Sequence, residues 1–507
     1  MTRYDDACFL LPLKAVDDLS ASPVGKLAPV LTQAEDTAIF TLYDTFDQAL
    51  RKERRVLIAI DDRLELWEAD GAILSQPAER RLTFVADMAD GPVKHALSNL
   101  PALRSLMVIG TGHLRLSELA LVDDEEKTQA RASLRLLSTD GAAGVAVAAL
   151  QGLRGYDKAL SRLADRVADC AGVPLGRDDL YARLFPAVAP YVAKPDIDVG
   201  RNEAAYDAAS DIIAAYLPVA RRNEAGIIDD IDTEFLHDYR IALRKIRSVL
   251  SLFKGVYPED QTQDLKARFS ALMAPTGQLR DLDVYLLDRG EFYDLLPHSL
   301  HRGLDRMFAM FAEQRQDTHE ALSRHLRSKA YEREVDALAK LFDSRRKLQR
   351  GPNADLPAHD FACKLIWKRY RKICRIAAGI DADTPDEEVH QLRIHCKKLR
   401  YLMEFFAPVF PKSAFKSLLK PLKALQDNLG LFNDYSVQQE SLHALLSRLD
   451  QGDHAGNLEL AQSVGALIAV LHQRQLEERG KVVDSFARFN SAATQKTFRD
   501  LFHKGKE

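Results

Sequence analysis

The sequence predicts an α+β multidomain chain, with a mainly β N-terminal domain that also carries helices, followed by an all-α domain of two pseudo-symmetric helical bundles. Three observations lead there. Short β-type runs separated by Asp- and Gly-rich turns fill residues 1 to about 145. From Tyr156 the apolar period becomes helical. The last three-fifths of the 507 residues then repeat themselves at a fixed spacing of 153.

The expected boundaries follow from two breaks. Lys194-Pro-Asp-Ile-Asp-Val-Gly200 reads as a linker, dividing an N-terminal domain (1–195) from a helical domain (201–507). Arg350-Gly-Pro-Asn-Ala-Asp-Leu-Pro357 divides the latter into bundles at 201–350 and 358–507. Within the first domain, strands are expected at Thr37–Tyr43, Arg55–Ile60, Leu64–Trp67, Leu82–Val85, Leu103–Ile109 and Ala132–Leu137. A helix should bury Leu160, Leu163, Val167 and Cys170 on one face, and another is expected from Asp178 to Val192.

Composition narrows the class. The chain is too long for one core, and its 46% hydrophobic content is ordinary for a soluble protein. No window is apolar for the length of a membrane span, and Asp5 and Asp6 ahead of the short Cys8–Leu13 run do not build a signal peptide. A cytoplasmic protein with no membrane partner is the expectation. Cys8, Cys170, Cys363, Cys374 and Cys396 form no C-x-x-C pair, so they read as reduced thiols rather than a disulfide frame or a zinc knuckle.

The formal charge of −4 averages unlike parts. Residues 1–200 carry 23 basic against 30 acidic side chains, and the remainder 47 against 44. That second balance is too slight to prove an anion partner. Any anion site must come from the arrangement of the bases.

The repeat supplies such an arrangement. Leu236-His-Asp-Tyr-Arg-Ile-Ala-Leu-Arg-Lys-Ile-Arg247 aligns without a gap on Val389-His-Gln-Leu-Arg-Ile-His-Cys-Lys-Lys-Leu-Arg400. Arg240 meets Arg393, Arg244 meets Lys397, Lys245 meets Lys398 and Arg247 meets Arg400. Further on, Phe253 meets Phe406, Pro258 meets Pro411, Gly277 meets Gly430 and Asp281 meets Asp434. On a helix, His237, Arg240, Arg244 and Arg247 fall within about a quarter of the circumference, opposite Leu243, Ile246, Val249, Leu250 and Phe253. Each copy thus offers a cationic rail, the second made by His390, Arg393, Lys397 and Arg400. A charged helix face is usually solvated and laced with i,i+4 pairs. Here Asp238 is the only acid between His237 and Arg247, and Val389–Tyr401 has none. Like charges so spaced destabilise a helix, so an external anion is expected.

Two further stripes belong to the second half: Lys364, Lys368, Arg371 and Arg375, and Lys416, Lys420 and Lys423. They suggest one common groove, more basic on the C-terminal side. Arg suits phosphate because its planar fork takes two oxygens, while Lys supplies a mobile charge. A His near phosphate gains its proton more readily, which would strengthen binding at mildly acidic pH. Metal is the rival for His390, His395 and Cys396, but an i,i+5 spacing sets the two histidines on opposite sides of a helix, so no metal is expected. Gly277-Gln-Leu-Arg-Asp-Leu-Asp283 and Gly430-Leu-Phe-Asn-Asp-Tyr-Ser436 read as helix ends, with Asp281 and Asp434 capping the next helix.

The duplicated [VL]-H-x-x-R-x-x-x-[RK]-[RK]-[IL]-R helices, with the Gly- and Asp-bearing elements that follow them, resemble CHAD domains over roughly residues 204–503. The resemblance implies two four-helix bundles with a basic groove between them that binds inorganic polyphosphate without catalysis or cofactor. Carried over by position, the contacts would be His237, Arg240, Arg244, Arg247, His390, Arg393, Lys397 and Arg400, with Lys245 and Lys398 beside them. Polyphosphate granules are where such a binder would collect.

The N-terminal half is similar to a degenerate CYTH domain, the triphosphate-tunnel fold, through Leu42-Tyr-Asp-Thr45, Ala49-Leu-Arg51 and Leu153-Arg-Gly-Tyr-Asp-Lys158. A working CYTH domain begins with E-x-E-x-K, whose carboxylates hold the catalytic metal. This register reads Leu10-x-Pro12-x-Lys14, and the strands that should carry arginines read Val56-Leu-Ile-Ala-Ile60 and Leu106-Met-Val-Ile109. Loss of triphosphatase activity is therefore expected. Two other functions compete: inorganic triphosphate hydrolysis through a shifted metal site, and binding of a nucleic-acid backbone. The rails lack the interleaved aromatic platforms of single-strand binders, which disfavours nucleic acid.

Overall fold

The computed structural model describes residues 8–79, 82–381, 383–447 and 454–503, so Asp5 and Asp6 lie outside the described residues. The chain forms two compact units, Met1–Ala193 and Lys194–Glu507.

The first unit is one antiparallel sheet. Its strands are β1 (Cys8–Pro12), β2 (Ala28–Thr45), β3 (Val56–Ile60), β4 (Arg63–Trp67), β5 (Ile73–Pro77), β6 (Leu106–Val122), β7 (Thr128–Ser138), β8 (Val145–Gly152) and β9 (Val173–Pro174), ordered β5-β4-β3-β2-β6-β7-β8-β1-β9. The helices are α1 (Val16–Ser20), α2 (Ala49–Lys52), α3 (Pro92–Ala96), α4 (Asp157–Asp169) and α5 (Leu180–Leu184). Period-two burial follows from the pleat. Leu10, Phe40, Leu42, Ile58, Trp67 and Val147 share one core, while Phe9, Leu11, Leu134 and Ala148 face the other way onto Leu160, Leu163 and Val167 of α4. The sheet curls, because Glu65 on β4 lies 3.5 Å from Arg135 on β7, three strands beyond its neighbour. Leu10 therefore sits inside a curl lined by apolar side chains, and Pro12 ends β1. An N-terminal antiparallel sheet of this kind is consistent with a CYTH-like fold.

Two expectations fail here. The expected strand at Leu82–Val85 does not form; the Thr83 carbonyl accepts from Leu106 N at 2.7 Å and from Ser105 Oγ at 3.1 Å without a strand being built, and Val85–Asp87 is a 3-10 turn. The expected helix at 178–192 is cut to Leu180–Leu184, capped by Asp179. Pro186 and Pro190 explain the cut, since each disfavours helical backbone in the residue before it.

The second unit is helical. Its first half contains α6 (Ala205–Ile228), α7 (Thr233–Leu252), α8 (Glu259–Met273), α9 (Gly277–Leu287), α10 (Arg289–Asp294), α11 (His301–Leu326) and α12 (Lys329–Ser344). Its second half contains α13 (Ala358–Ala377), α14 (Asp386–Phe405), α15 (Lys412–Leu446), α16 (His454–Gly480), α17 (Val482–Phe489) and α18 (Ala492–Phe502). Helices α7 and α14 coincide at both ends after a shift of 153 residues, and α6, α8 and α11 begin where α13, α15 and α16 do after the same shift.

Residues related by that shift also touch each other. The rings of Phe253 and Phe406 stack with centroids 4.8 Å apart, Tyr285 Oη donates to Gln438 O at 3.3 Å, and Ala204 forms an antiparallel bridge with Pro357. Self-equivalent contacts of this kind arise only near a two-fold axis. The halves are joined as well as related, since Tyr285, Met307 and Phe311 share a core with Leu442, Val464 and Leu467. None of the described helices is long and apolar enough to cross a membrane.

Candidate functional site

Helices α7 and α14 lie beside the pseudo-two-fold axis. Each buries a leucine- and isoleucine-rich face (Leu243, Ile246 and Leu250; Leu392, Leu399 and Leu402) and presents its rail on the other side. Asp232 caps α7 by accepting from Glu234 N and Phe235 N, and Asp386, Glu387 and Glu388 in the first turn of α14 complement that helix's dipole. Between the rails is a depression of about 300 Å3 whose lining includes Arg244, Arg247, His390, Arg393, Lys397 and Lys398.

Its centre is the equivalent pair Arg244 and Lys397. Neither forms an ion pair among the described residues. Burial first, then the Arg244, Arg393 and Arg400 guanidiniums, hold the Lys397 ammonium down to about 8, against an upward pull from Asp434. On the first-copy side the cations continue. Burial, then Arg244, lowers the pKa of Arg240, with Arg280 and Arg247 adding to the effect and Asp281 opposing it. Arg240 Nη1 donates to Thr276 Oγ1 at 2.6 Å, while Arg240 Nε and Arg280 Nη1 are buried donors with no acceptor among the described residues. The charges thus run from Arg280 through Arg240 and Arg244 to Lys397 and Arg393, crossing the axis.

The rails are less bare of acids than the stretches His237–Arg247 and His390–Arg400 alone suggest. Asp434 reaches Arg393 at 3.6 Å, and Glu404 takes Arg400 at 3.5 Å and also Lys245. Lys245 lies over the Tyr401 and Phe405 rings and is held by Glu404, which ties it into the contact between the halves. His390 lines the depression, and its Nδ1 meets Asn433 Oδ1 at 2.8 Å, which leaves Nε2 for a ligand. His237, half-buried on α7, is not among the described lining residues.

The Gly and Asp elements are not helix ends. Gly430 is inside the continuous α15, and Gly277 opens α9 directly after a 3-10 turn at φ −63°. Neither has the left-handed backbone a C-cap glycine would supply. Asp281 and Asp434 are consequently not caps; they face Arg240 and Arg393 as counter-charges.

The remaining bases are not gathered into one common groove. Lys368, Arg371 and Arg375 line a second depression, of about 430 Å3, with Lys254, Arg369, Lys372 and His395. Lys416, Lys420 and Lys423 line a third on α15 with Lys412 and Phe415. Lys364 is exposed on α13 and is in none of these. The separation arises because α14 stands between α13 and α7, so that His390 and His395, five residues apart, point into different depressions. Sequence reasoning missed Arg280, Arg369 and Lys372; Arg280 stood in the element read as structural, and the other two lie off the i,i+4 stripe that was followed. Among the described residues no group of three or more His, Cys, Asp or Glu could hold a metal, and none of the five cysteines is in a disulfide.

A duplicated helical unit with a cationic groove beside its internal axis defines the class of protein. Residues 211–443 match the family model of the CHAD domain, and the chain carries a CHAD domain there. Two uncharacterized proteins of Mycobacterium tuberculosis, from strains CDC 1551 and H37Rv, are each 28% identical over 318 residues, covering 61% of this chain. That match covers 56% of each relative, so the chain spans little more than half the length of the curated relatives it matches. Among solved structures, the CHAD domain from the plant Ricinus communis is 26% identical, with TM-score 0.43, over 56% of this chain and 96% of its own. PptA from Streptomyces chartreusis is 15% identical, with TM-score 0.42, over 59% of this chain and 100% of its own.

Proposed function

We propose that the helical unit binds inorganic polyphosphate, without catalysis, in the groove between α7 and α14. The observation that carries this reading is the pair Arg244 and Lys397: equivalent residues, facing across the axis, with no ion-pair partner among the described residues and with Lys397 held down to about 8 by its surroundings. Cations so gathered repel one another, and an anion relieves the repulsion. The track from Arg280 to Arg393 suits a linear anion better than a single phosphate, since a chain places charge along its whole length. The planar forks of Arg240, Arg244 and Arg393 match tetrahedral phosphate oxygens. The presence of a CHAD domain supports the choice of polyphosphate over other polyanions.

Competition at fixed salt tests the reading. Labelled polyphosphate bound to the full chain should be displaced by unlabelled polyphosphate at far lower phosphate concentration than by single-stranded RNA. Equal displacement by RNA would mean a general polyanion binder.

A further inference from the structure

The depression between α13 and α14 repeats the logic of the groove with different residues. Lys254, Lys368, Arg369, Lys372 and Arg375 surround it, and none forms an ion pair among the described residues. Each of the residues 153 positions before Lys368, Arg369, Lys372 and His395 is uncharged: Ala215, Tyr216, Val219 and Ala242. Lys254 is supplied by the first copy, and of the second-copy bases only Arg375 has a charged counterpart, Arg222, so the cluster is not a by-product of the duplication.

His395 shows how it is built. Arg369 Nη1 lies 2.6 Å from His395 Nδ1. Burial, then Arg369, Lys398 and Lys372, push the imidazole down to about 4, so the ring is neutral and Nδ1 accepts the bond. A carboxylate in that place would orient the guanidinium and cancel its charge. A neutral ring orients it and leaves the charge whole, and its Nε2–H remains a donor. Lys398 lines the axial groove, and its ammonium is also within electrostatic reach of Arg369 and Lys254.

We propose that this depression is a second phosphate-chain site, separate from the axial groove, and that Lys398 allows one long polyphosphate to occupy both. The bridging rests on the reading of the axial groove given above; the second site itself does not. A short anion fills each site independently, whereas a long chain held at one site meets the other at high effective concentration and gains affinity without any new contact.

Calorimetric titration of the full chain with tripolyphosphate, and with a chain of about 100 phosphates, tests this. Lys368 and Lys372 are exposed, so Lys368→Gln with Lys372→Gln leaves the helix packing intact. Wild type should take up two tripolyphosphates, and this variant one, with affinity for the long chain down by about tenfold or more. Arg244→Gln with Lys397→Gln should remove the other equivalent. A single equivalent that is lost with Arg244 and Lys397 and unaffected at Lys368 and Lys372 overturns the second site while the axial reading stands. A single equivalent with the reverse dependence overturns the axial reading and leaves the second site in place. No saturable uptake by either variant or wild type overturns both.

Discussion

The ring of Phe253 lies against that of Phe406 at 4.8 Å between centroids and 10° between planes, although 153 residues separate them in the chain. They are the same position in the two copies, and both are buried. Their stack fixes the spacing of α7 and α14, the helices that end at it. Truncating either ring leaves a cavity in the shared interface. Phe253→Ala or Phe406→Ala should each cost about 3–5 kcal/mol of unfolding free energy, and the double variant less than the sum, because one contact is lost twice. Denaturant titration followed by circular dichroism measures this, and strict additivity would mean that the rings act separately.

Binding should depend on salt. A polyanion contacted by several cations releases condensed counterions, so the logarithm of affinity falls linearly with the logarithm of salt concentration. Neutralising Arg244 and Lys397 should flatten that slope by about 1.4, taking the single-strand value of about 0.7 per contact. An unchanged slope would place the contacts elsewhere.

The pH dependence has a defined sign. Lys397, held down to about 8 in the free protein, regains an ordinary value when phosphate neutralises Arg244, Arg393 and Arg400 around it. Affinity is therefore greatest below about 8 and declines as pH rises through it, with a proton taken up on binding near that pH. Calorimetry in buffers of different ionisation enthalpy detects the uptake. Lys397→Arg should bind with no such uptake, and if it kept the wild-type proton count the assignment to Lys397 would fail.

Asp434 competes with the ligand for Arg393 and raises the pKa of Lys397. Asp434→Asn should strengthen polyphosphate binding, by about threefold for an exposed pair of this kind. Weaker binding in a folded variant would show that Asp434 orients Arg393 rather than neutralising it.

Leu10 is fully buried in the curl of the sheet and Pro12 ends the strand, the two positions at which the CYTH resemblance expects carboxylates. With Mg2+ or Mn2+, the full chain should release phosphate from tripolyphosphate no faster than a control without protein. Metal-dependent turnover abolished by a substitution at Glu65, a buried carboxylate on β4, would point to a shifted metal site.

The duplication was legible because it is written in single residues at one spacing, and the bounds of α7 and α14 keep that spacing at both ends. The rails were legible too, since helical period fixes which side chains share a face. What a window of sequence cannot hold is a partner from another helix. Asp434 comes to Arg393 from α15, and Glu404, four residues past Arg400 on α14, reaches across to Lys245 on α7; Asp281 and Asp434 resemble caps because glycine stands near them. The three basic stripes looked like one groove because their sequence periods are alike, whereas the position of α14 between α7 and α13 divides them. The helix expected at 178–192 stops at Leu184 because Pro186 and Pro190 break an apolar period that otherwise continues.

The central claim is that the two rails together hold polyphosphate, and equilibrium binding by a folded full-length variant tests it most directly. Arg240, Arg244, Arg247, Arg393, Lys397 and Arg400 would be replaced together by Gln, with near-wild-type thermal unfolding as the control for folding. Each desolvated charge-assisted contact contributes about 1.5–3 kcal/mol, so losing even two should weaken binding by roughly a hundredfold or more, measured at fixed pH and salt. Affinity equal to that of the wild type would contradict the account.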